Sequence, residues 1–304
     1  MSKVSTSKNF HRGYISILGR ANVGKSTLLN KLLGSKIAAV SSKPQTSRGK
    51  LLGIVNEDTF QIGFLDTPGW PSNVNVDVLG RRMIREIKEA IDESNLIVLM
   101  VAPLLPGRIE AVLIEELKRK NTPVFLLINK VDTVKKTNLL PIIDKYNSLY
   151  EFEEIIPLSI IHDDISSLPS RLATSLPKGD PLFDQDLLTD RSERFLVGEL
   201  IREKVFELYG KEIPYATAVK VDPFERKDTK EGTTEIIDAT IFVEKESQKG
   251  ILVGQEGNAL KEVGIAARKD IELLLQRNVY LNLWVKTKER WRRDGNFLRE
   301  LNED

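Results

Sequence analysis

Apolar and polar positions follow two different patterns along the chain, and the first pattern ends near residue 168. Up to that point, apolar runs predict six strands, at residues 13–18, 51–55, 60–65, 96–101, 124–128 and 155–158. Helical patterns lie between several of them, as in residues 79–91, where apolar residues recur four apart. The almost wholly apolar runs are typical of parallel strands buried on both faces. We therefore predict a doubly wound α/β domain with a mostly parallel sheet.

A second pattern begins after a segment rich in proline and glycine, residues 176–190, which predicts a linker. Beyond it we predict helices at 191–209 and 259–276 and strands at 215–221, 235–243 and 279–285, with residues 251–253 ending a further strand. The chain is thus expected to comprise a flexible N-terminus at 1–11, a first domain at 12–175, the linker at 176–190 and an α+β domain at 191–304.

Composition narrows the class of protein. A chain of 304 residues, 41% hydrophobic and 29% charged, is typical of globular proteins with two cores. The net charge of +1 means that any basic surface must be local. The absence of cysteine excludes disulfides and thiolate metal sites. No apolar run approaches the roughly 20 residues that span a bilayer, and residues 1–9 lack an apolar signal core, so we expect a cytoplasmic protein.

The segment GRANVGKST at residues 19–27 fits the phosphate-binding pattern G-x-x-x-x-G-K-[ST]. Two glycines allow backbone N–H groups to point at an anion, the lysine places charge on the β- and γ-phosphates, and the serine hydroxyl ligates Mg²⁺. A glycine-rich turn of this kind also occurs by chance, but the strand before it and the helix after it favour nucleotide binding. The candidate residues are Gly19, Asn22, Val23, Gly24, Lys25, Ser26 and Thr27.

Two further tetrapeptides follow predicted strands. In DTPG at 66–69, Asp66 can hold Mg²⁺ through a bridging water, and the Gly69 N–H can face a γ-phosphate. Lys25 and Gly69 are therefore our catalytic candidates. In NKVD at 129–132, Asp132 can accept from two donors of guanine that adenine lacks, and sites of this type discriminate by about 10⁴. Lys130 would pack over the base, and Asn129 completes the motif. Together these motifs predict Mg·GTP as the ligand.

The segment GQEG at 254–257 fits the G-x-x-G loop with which a KH module clamps a single-stranded nucleic acid backbone. The motif is weak evidence by itself. Of the two central residues, Glu256 should repel phosphates through its carboxylate, whereas Gln255 is neutral. Compensating cations could be Lys249, Lys261, Arg268 and Lys269, or the basic run 286–293. The alternative to RNA binding is that this basic run is simply the solvent-exposed face of a helix.

In this order the motifs resemble those of translation-factor-related GTPases, and the chain resembles the Era family of bacterial GTPases from about residue 12 onward. Segments 189–195, 199–204, 244–251, 267–272 and 279–286 carry the resemblance in the second half. It implies a first switch at KPQTSR, residues 43–48, where Thr46 or Ser47 completes the Mg²⁺ shell. It also implies a K⁺ ion at Asn22 that stimulates hydrolysis, although a role in shaping the loop is equally favoured.

The resemblance places the last guanine-contacting loop at Ser159 and Ile160, where a main-chain N–H would reach the base. Relatives usually carry alanine in place of Ile160, so its bulk is expected to disturb the loop. Trp70 stands where many regulatory GTPases have a glutamine that positions water, which predicts slow turnover of about 10⁻⁴ to 10⁻² s⁻¹.

By resemblance, the partners are the 3′ end of small-subunit ribosomal RNA and the maturing small ribosomal subunit, and the family also allows peripheral membrane contact. We expect a monomer. Two functions stay open: a GTPase switch that binds RNA in one nucleotide state, and an RNA-binding assembly scaffold with vestigial hydrolysis. The NKVD motif disfavours a third, a small-molecule kinase.

Overall fold

The computed structural model describes residues 9–41, 49–71, 78–210, 212–229 and 232–301. The chain divides into two compact units, the first comprising Met1–Ser35, Ser47–Asn75 and Gly80–Asp190. The second comprises Lys36–Thr46, Val76–Leu79 and Arg191–Asp304. The domain limits drawn from the sequence stay a prediction.

A six-stranded sheet forms the centre of the first unit. Its strands are β1 (His11–Gly19), β2 (Leu51–Asn56), β3 (Phe60–Asp66), β4 (Leu96–Val101), β5 (Val124–Ile128) and β6 (Glu154–Pro157). They lie in the order β2-β3-β1-β4-β5-β6, and every neighbouring pair is parallel except β2 and β3. All residues of β4 and β5 are buried, which explains their unbroken apolar runs. The predicted mostly parallel sheet is confirmed.

The helices described in the first unit are α1 (Lys25–Leu33), α2 (Val78–Glu93), α3 (Arg108–Lys118), α4 (Leu139–Asn147) and α5 (Leu168–Ala173). Their apolar sides join the core. Ile87, Leu113 and Tyr146 belong to one buried cluster with residues of β4 and β5. Because the parallel strands all end at one edge of the sheet, the loops after β1, β3 and β5 meet there.

Residues 176–190, which the sequence assigns to a linker, are bound along the β2–β3 side of the first unit. The buried Gln61 side chain on β3 donates to the Phe183 carbonyl at 2.9 Å and accepts from the N–H groups of Leu182 and Phe183. On β2, the Ile54 N–H donates to the Leu188 carbonyl at 2.8 Å. The segment therefore covers the edge strand of the sheet, whose backbone groups would otherwise be unpaired.

The second unit contains α6 (Glu193–Leu208), β7 (Ala218–Val221), β8 (Glu225–Thr229), β9 (Gly232–Val243), α7 (Glu246–Val253), α8 (Asn258–Leu275), β10 (Asn278–Thr287) and α9 (Gly295–Glu300). The sheet order is β10-β9-β7, and β8 also pairs with β9. β10 is parallel to β9, whereas β7 and β8 are antiparallel to it. Val197, Ile237, Val263 and Ile271 lie in the core between sheet and helices. The predicted α+β class is confirmed.

The prediction of a strand ending at residues 251–253 is wrong, because these residues form the last turn of α7. The Gln248 side chain accepts from the N–H groups of Glu244 and Lys245 and so starts the helix. Leu252 is fully buried while Ile251 is 53% exposed, so the short apolar run belongs to two sides of a helix. Pattern analysis also missed α7 and the polar strand β8. Within the described residues, no helix combines the length and the apolar character needed to cross a membrane.

Candidate functional site

The phosphate loop connects β1 to α1, and its two glycines are required by their surroundings. Gly19 has φ 149°, and a Cβ there would lie 2.3 Å from the Met100 carbonyl oxygen. Gly24 has φ 110°, and a Cβ there would lie 2.5 Å from Nδ2 of Asn129. A side chain at either position would therefore displace the loop.

Lys25 begins α1 and is buried beneath the loop. Its Nζ donates to the Arg20 carbonyl at 3.0 Å and to the Gly19 carbonyl at 3.4 Å. Burial lowers the pKa of Lys25 to about 8, while the neighbouring Asp66 carboxylate acts in the opposite direction. The loop thus holds a cation that is short of anionic partners, as a phosphate site requires.

Asp66 ends β3 beside this lysine, and burial raises the pKa of its carboxyl group despite Lys25 and the hydroxyl of Ser26. Its Oδ2 accepts from the Ser26 hydroxyl at 2.6 Å, and its buried Oδ1 has no hydrogen-bond partner within the described residues. A hydroxyl and a carboxylate with a spare oxygen are the ligands that a hard cation such as Mg²⁺ prefers, so the residues fit this ion. Thr46 and Ser47 lie outside the described residues.

The turn after β3 packs directly on the phosphate loop. A Cβ at Gly69 would lie 2.6 Å from the backbone of Ala21, and the Trp70 N–H donates to the Gly19 carbonyl at 3.3 Å. The Thr67 hydroxyl donates to the Ile17 carbonyl at 2.8 Å and ties the turn to β1. Glycine is therefore the only residue type at position 69 that permits this close approach.

Asn129, which is 4% exposed, joins two loops through its side-chain amide. Its Nδ2 donates to the Val23 carbonyl at 2.8 Å, and its Oδ1 accepts from the Ile160 N–H at 3.0 Å. Lys130, at φ 65°, extends its Nζ to the Asn22 carbonyl at 2.8 Å. The NKVD motif thereby connects the phosphate loop to the loop that follows β6.

Asp132 and the loop after β6 carry the residues that the sequence predicts at the base. A hydrogen bond from the buried Ser159 side chain holds the pKa of Asp132 below its usual value, which keeps it an acceptor. Ile160 is 1% exposed, so its bulk is accommodated inside the unit. The loop backbone is tied to α1, because Nζ of Lys31 donates to the Ile160 carbonyl at 2.6 Å and to the Asp163 carbonyl at 2.8 Å. Sequence analysis missed Lys31, since no motif marks it.

In the second unit, the GQEG loop joins α7 to α8 through three residues of positive φ, namely Gly254 (72°), Glu256 (53°) and Gly257 (78°). A groove of about 380 Å³ leads away from it between α8 and β10. Lys261 and Arg268 line this groove, together with apolar and aromatic residues such as Ile265 and Tyr280.

The other predicted RNA-binding cations lie elsewhere. Lys269 lines a separate depression with Glu272 and Gln276. Lys249 lies on α7, with its Nζ 3.9 Å from a carboxylate oxygen of Glu246. Gln255 occupies the loop itself, between the two glycines.

Comparison with known proteins assigns both units. A family model described as 50S ribosome-binding GTPase matches residues 14–130, and a KH domain model matches residues 212–292. The GTPase Era of Syntrophus aciditrophicus (strain SB) is 44% identical over 294 residues, which cover 96% of this chain and 95% of that protein. The chain belongs to the Era family of GTPases. Its members hydrolyse GTP to GDP and phosphate, so the predicted enzyme class is confirmed.

Solved Era structures have the same fold. One is a crystal structure of Era in complex with MgGDPNP and nucleotides 1506–1542 of 16S ribosomal RNA, with a TM-score of 0.90 and 38% identity, covering 96% of this chain and 98% of that one. A variant of Aquifex aeolicus Era bound to GDP·AlF₄⁻ has a TM-score of 0.89 and 38% identity, covering 96% and 99%.

Proposed function

We propose that this GTPase is a Mg²⁺-dependent switch that binds small-subunit ribosomal RNA and assists maturation of the small ribosomal subunit. The observation that carries the proposal is the presence, in one chain, of a phosphate loop with the DTPG and NKVD motifs and of a groove beside a G-x-x-G loop. The Era complex that contains both MgGDPNP and a 16S ribosomal RNA fragment supports it.

On the nucleotide side, the loop at residues 19–27 cradles the phosphates and Lys25 neutralises their charge. Ser26 and Asp66 would hold Mg²⁺ together with Thr46 or Ser47, and the ion would bridge the β- and γ-phosphate oxygens. The pairing of Oδ2 of Asp66 with the Ser26 hydroxyl supports this arrangement. Asp132 reads guanine, with Asn129, Lys130, Ser159 and Ile160 forming its surroundings.

Hydrolysis in isolation is proposed to be slow. Trp70 has an indole where an amide would orient water, and its backbone is bound to the phosphate loop. The chain then depends on Lys25 and the Gly69 N–H, and on a partner or K⁺ near Asn22, to complete the site. Slow hydrolysis that depends on a partner or K⁺ is typical of a regulatory GTPase rather than of a metabolic enzyme.

On the RNA side, the G-x-x-G loop would clamp the backbone while bases lie in the groove between α8 and β10. Lys261 and Arg268 in that groove supply positive charge. A cytoplasmic location, a monomeric state and peripheral membrane contact stay predictions.

The test compares the affinity for RNA carrying nucleotides 1506–1542 of 16S ribosomal RNA with GDPNP and with GDP bound. We expect tighter binding in one nucleotide state by about fivefold or more, the usual lower range of coupling between two sites. Lys261→Gln should weaken binding in both states. Equal affinities with the two nucleotides would refute the switch.

The second candidate is a stable RNA-binding scaffold with vestigial hydrolysis, which Trp70 and Glu256 favour. Steady-state GTP turnover measured with K⁺ and RNA together separates the two functions. Stimulation above the basal rate supports the switch, whereas a rate that neither addition changes supports the scaffold.

A further inference from the structure

A second basic site lies in the same unit as the G-x-x-G loop, at the ends of β9 and β10. It is a pocket of about 640 Å³. We call it the arginine pocket and define it by Lys245, Thr287, Arg290, Arg292 and Arg293, all of which line it. Nothing in the nucleotide site or the groove between α8 and β10 uses these residues.

Several donors in the arginine pocket lack partners. The side chains of Lys245, Arg290 and Arg293 are exposed and, within the described part of the chain, make no hydrogen bond or ion pair. Oγ1 of Thr287 and Nε of Arg292 are buried there without a hydrogen-bond partner among the described residues. The exposed side chains of Lys245, Arg290 and Arg293 are therefore the donors that a ligand with acceptor atoms can reach.

Three carboxylates also line the pocket, and two of them are already engaged. Glu244 accepts from Arg292 at 2.7 Å, and a Glu246 oxygen lies 3.9 Å from Nζ of Lys249. Glu289 is the third. The unpaired groups are therefore mainly cationic donors. A phosphodiester, with one negative charge and two acceptor oxygens, matches such a set.

The helix α7 connects the arginine pocket to the G-x-x-G loop. It begins at Glu246, on the pocket, and its 8 residues end at Val253, immediately before Gly254. Its length is about 12 Å, so the arginine pocket and the G-x-x-G loop lie one short helix apart. Lys249 lies four residues after Lys245 and so on the same side of the helix, between the two ends.

A G-x-x-G loop clamps about four nucleotides. The RNA in the solved Era complex, nucleotides 1506–1542, is several times longer than that. An RNA of this kind has phosphates beyond the clamp, and the cations of the arginine pocket, at the far end of α7, can bind them.

We propose that the arginine pocket is a second phosphate-binding site, which holds the RNA backbone beyond the G-x-x-G loop, about one length of α7 away. The proposal rests on the RNA-binding function proposed above. It also explains how this chain offsets the carboxylate of Glu256 inside its clamp loop.

The test is the salt dependence of RNA binding by Arg290→Gln/Arg293→Gln in the full chain. The probe is fluorescent RNA carrying nucleotides 1506–1542, titrated by anisotropy at several KCl concentrations. Each lost phosphate contact lowers the slope of log Kd against log salt by about 0.7 for single strands, so we expect a decrease of about 1.4. At low salt the affinity should fall on the order of tenfold. Lys118→Gln/Arg119→Gln, at the exposed C-terminal end of α3, removes the same charge and should change neither quantity.

The outcomes separate this proposal from the one on which it rests. If the wild-type protein binds no RNA, both fail. If Lys261→Gln weakens RNA binding while the arginine double variant keeps the wild-type slope and affinity, only the arginine-pocket proposal is overturned. A double variant that loses affinity for inorganic phosphate but keeps its RNA slope would also overturn it. Thermal melting checks that the double variant folds, which we expect because both arginines are exposed.

Discussion

Replacing Asn129 with alanine removes the amide that joins the phosphate loop to the base loop. The Val23 carbonyl loses a donor at 2.8 Å and the Ile160 N–H loses an acceptor at 3.0 Å. Both lie in a buried environment, and each unsatisfied buried group costs about 1–3 kcal/mol. We expect a loss of about 2–4 kcal/mol in the free energy of unfolding of the first unit, because some relaxation is available.

Nucleotide affinity should fall with stability, since both loops contact the ligand in the proposed site. If about 2 kcal/mol of the loss appears in binding, GDP binds roughly 30-fold more weakly. The measurements are urea unfolding of the nucleotide-free protein and titration with a fluorescent GDP analogue. Asn129→Asp is a sharper variant, because it retains the acceptor for Ile160 but sets an anionic oxygen against the Val23 carbonyl.

The matched control is Asn147→Ala, which removes the same side chain from an exposed position at the end of α4. It should change stability by less than about 0.5 kcal/mol. The reasoning would be refuted if Asn129→Ala matched this control in both assays. The reasoning would also be contradicted if Asn129→Ala and Asn129→Asp had the same stability and both kept the wild-type affinity for GDP.

Three further predictions concern single side chains. Asp132→Asn should shift preference from guanosine to xanthosine diphosphate by about 100-fold or more in competition assays, and unchanged selectivity would show that Asp132 does not read the base. Lys31→Met should speed GDP release about tenfold in stopped-flow experiments, because two carbonyls of loop 159–163 lose their donor. Lys31→Arg should retain most of the wild-type rate. The backbone N–H of Phe297 holds the pKa of Asp294 below 3.8, so its carboxylate stabilises the fold above that pH and loses this effect as pH falls. Asp294→Ala should therefore lower the melting temperature at pH 7, by an amount that shrinks toward pH 3; a constant difference would contradict the assignment.

Local patterns were sufficient for the fold class and for the positions of the three nucleotide motifs. The strands β4 and β5 are buried along their whole length, so their sequences are apolar without interruption. The phosphate loop and the DTPG and NKVD turns follow such strands directly, and parallel strands bring their ends to one edge. Residues 251–253 show the limit of this reasoning, since three apolar residues in a row suit a helix as well as a strand.

Short stretches of sequence encode the chemical groups of the proposed sites, because the phosphate loop, the Asp132 carboxylate and the G-x-x-G loop are each local in the chain. What holds them in place is a set of contacts between segments that are distant in the chain. Asn129 bonds to Val23, and Lys31 bonds to the loop at Ile160, across large separations in sequence. The arginine pocket likewise unites Lys245 with Arg290. Hydrogen bonds and charge clusters of this kind depend on which surfaces the fold brings together, and no short-range pattern of residues encodes that.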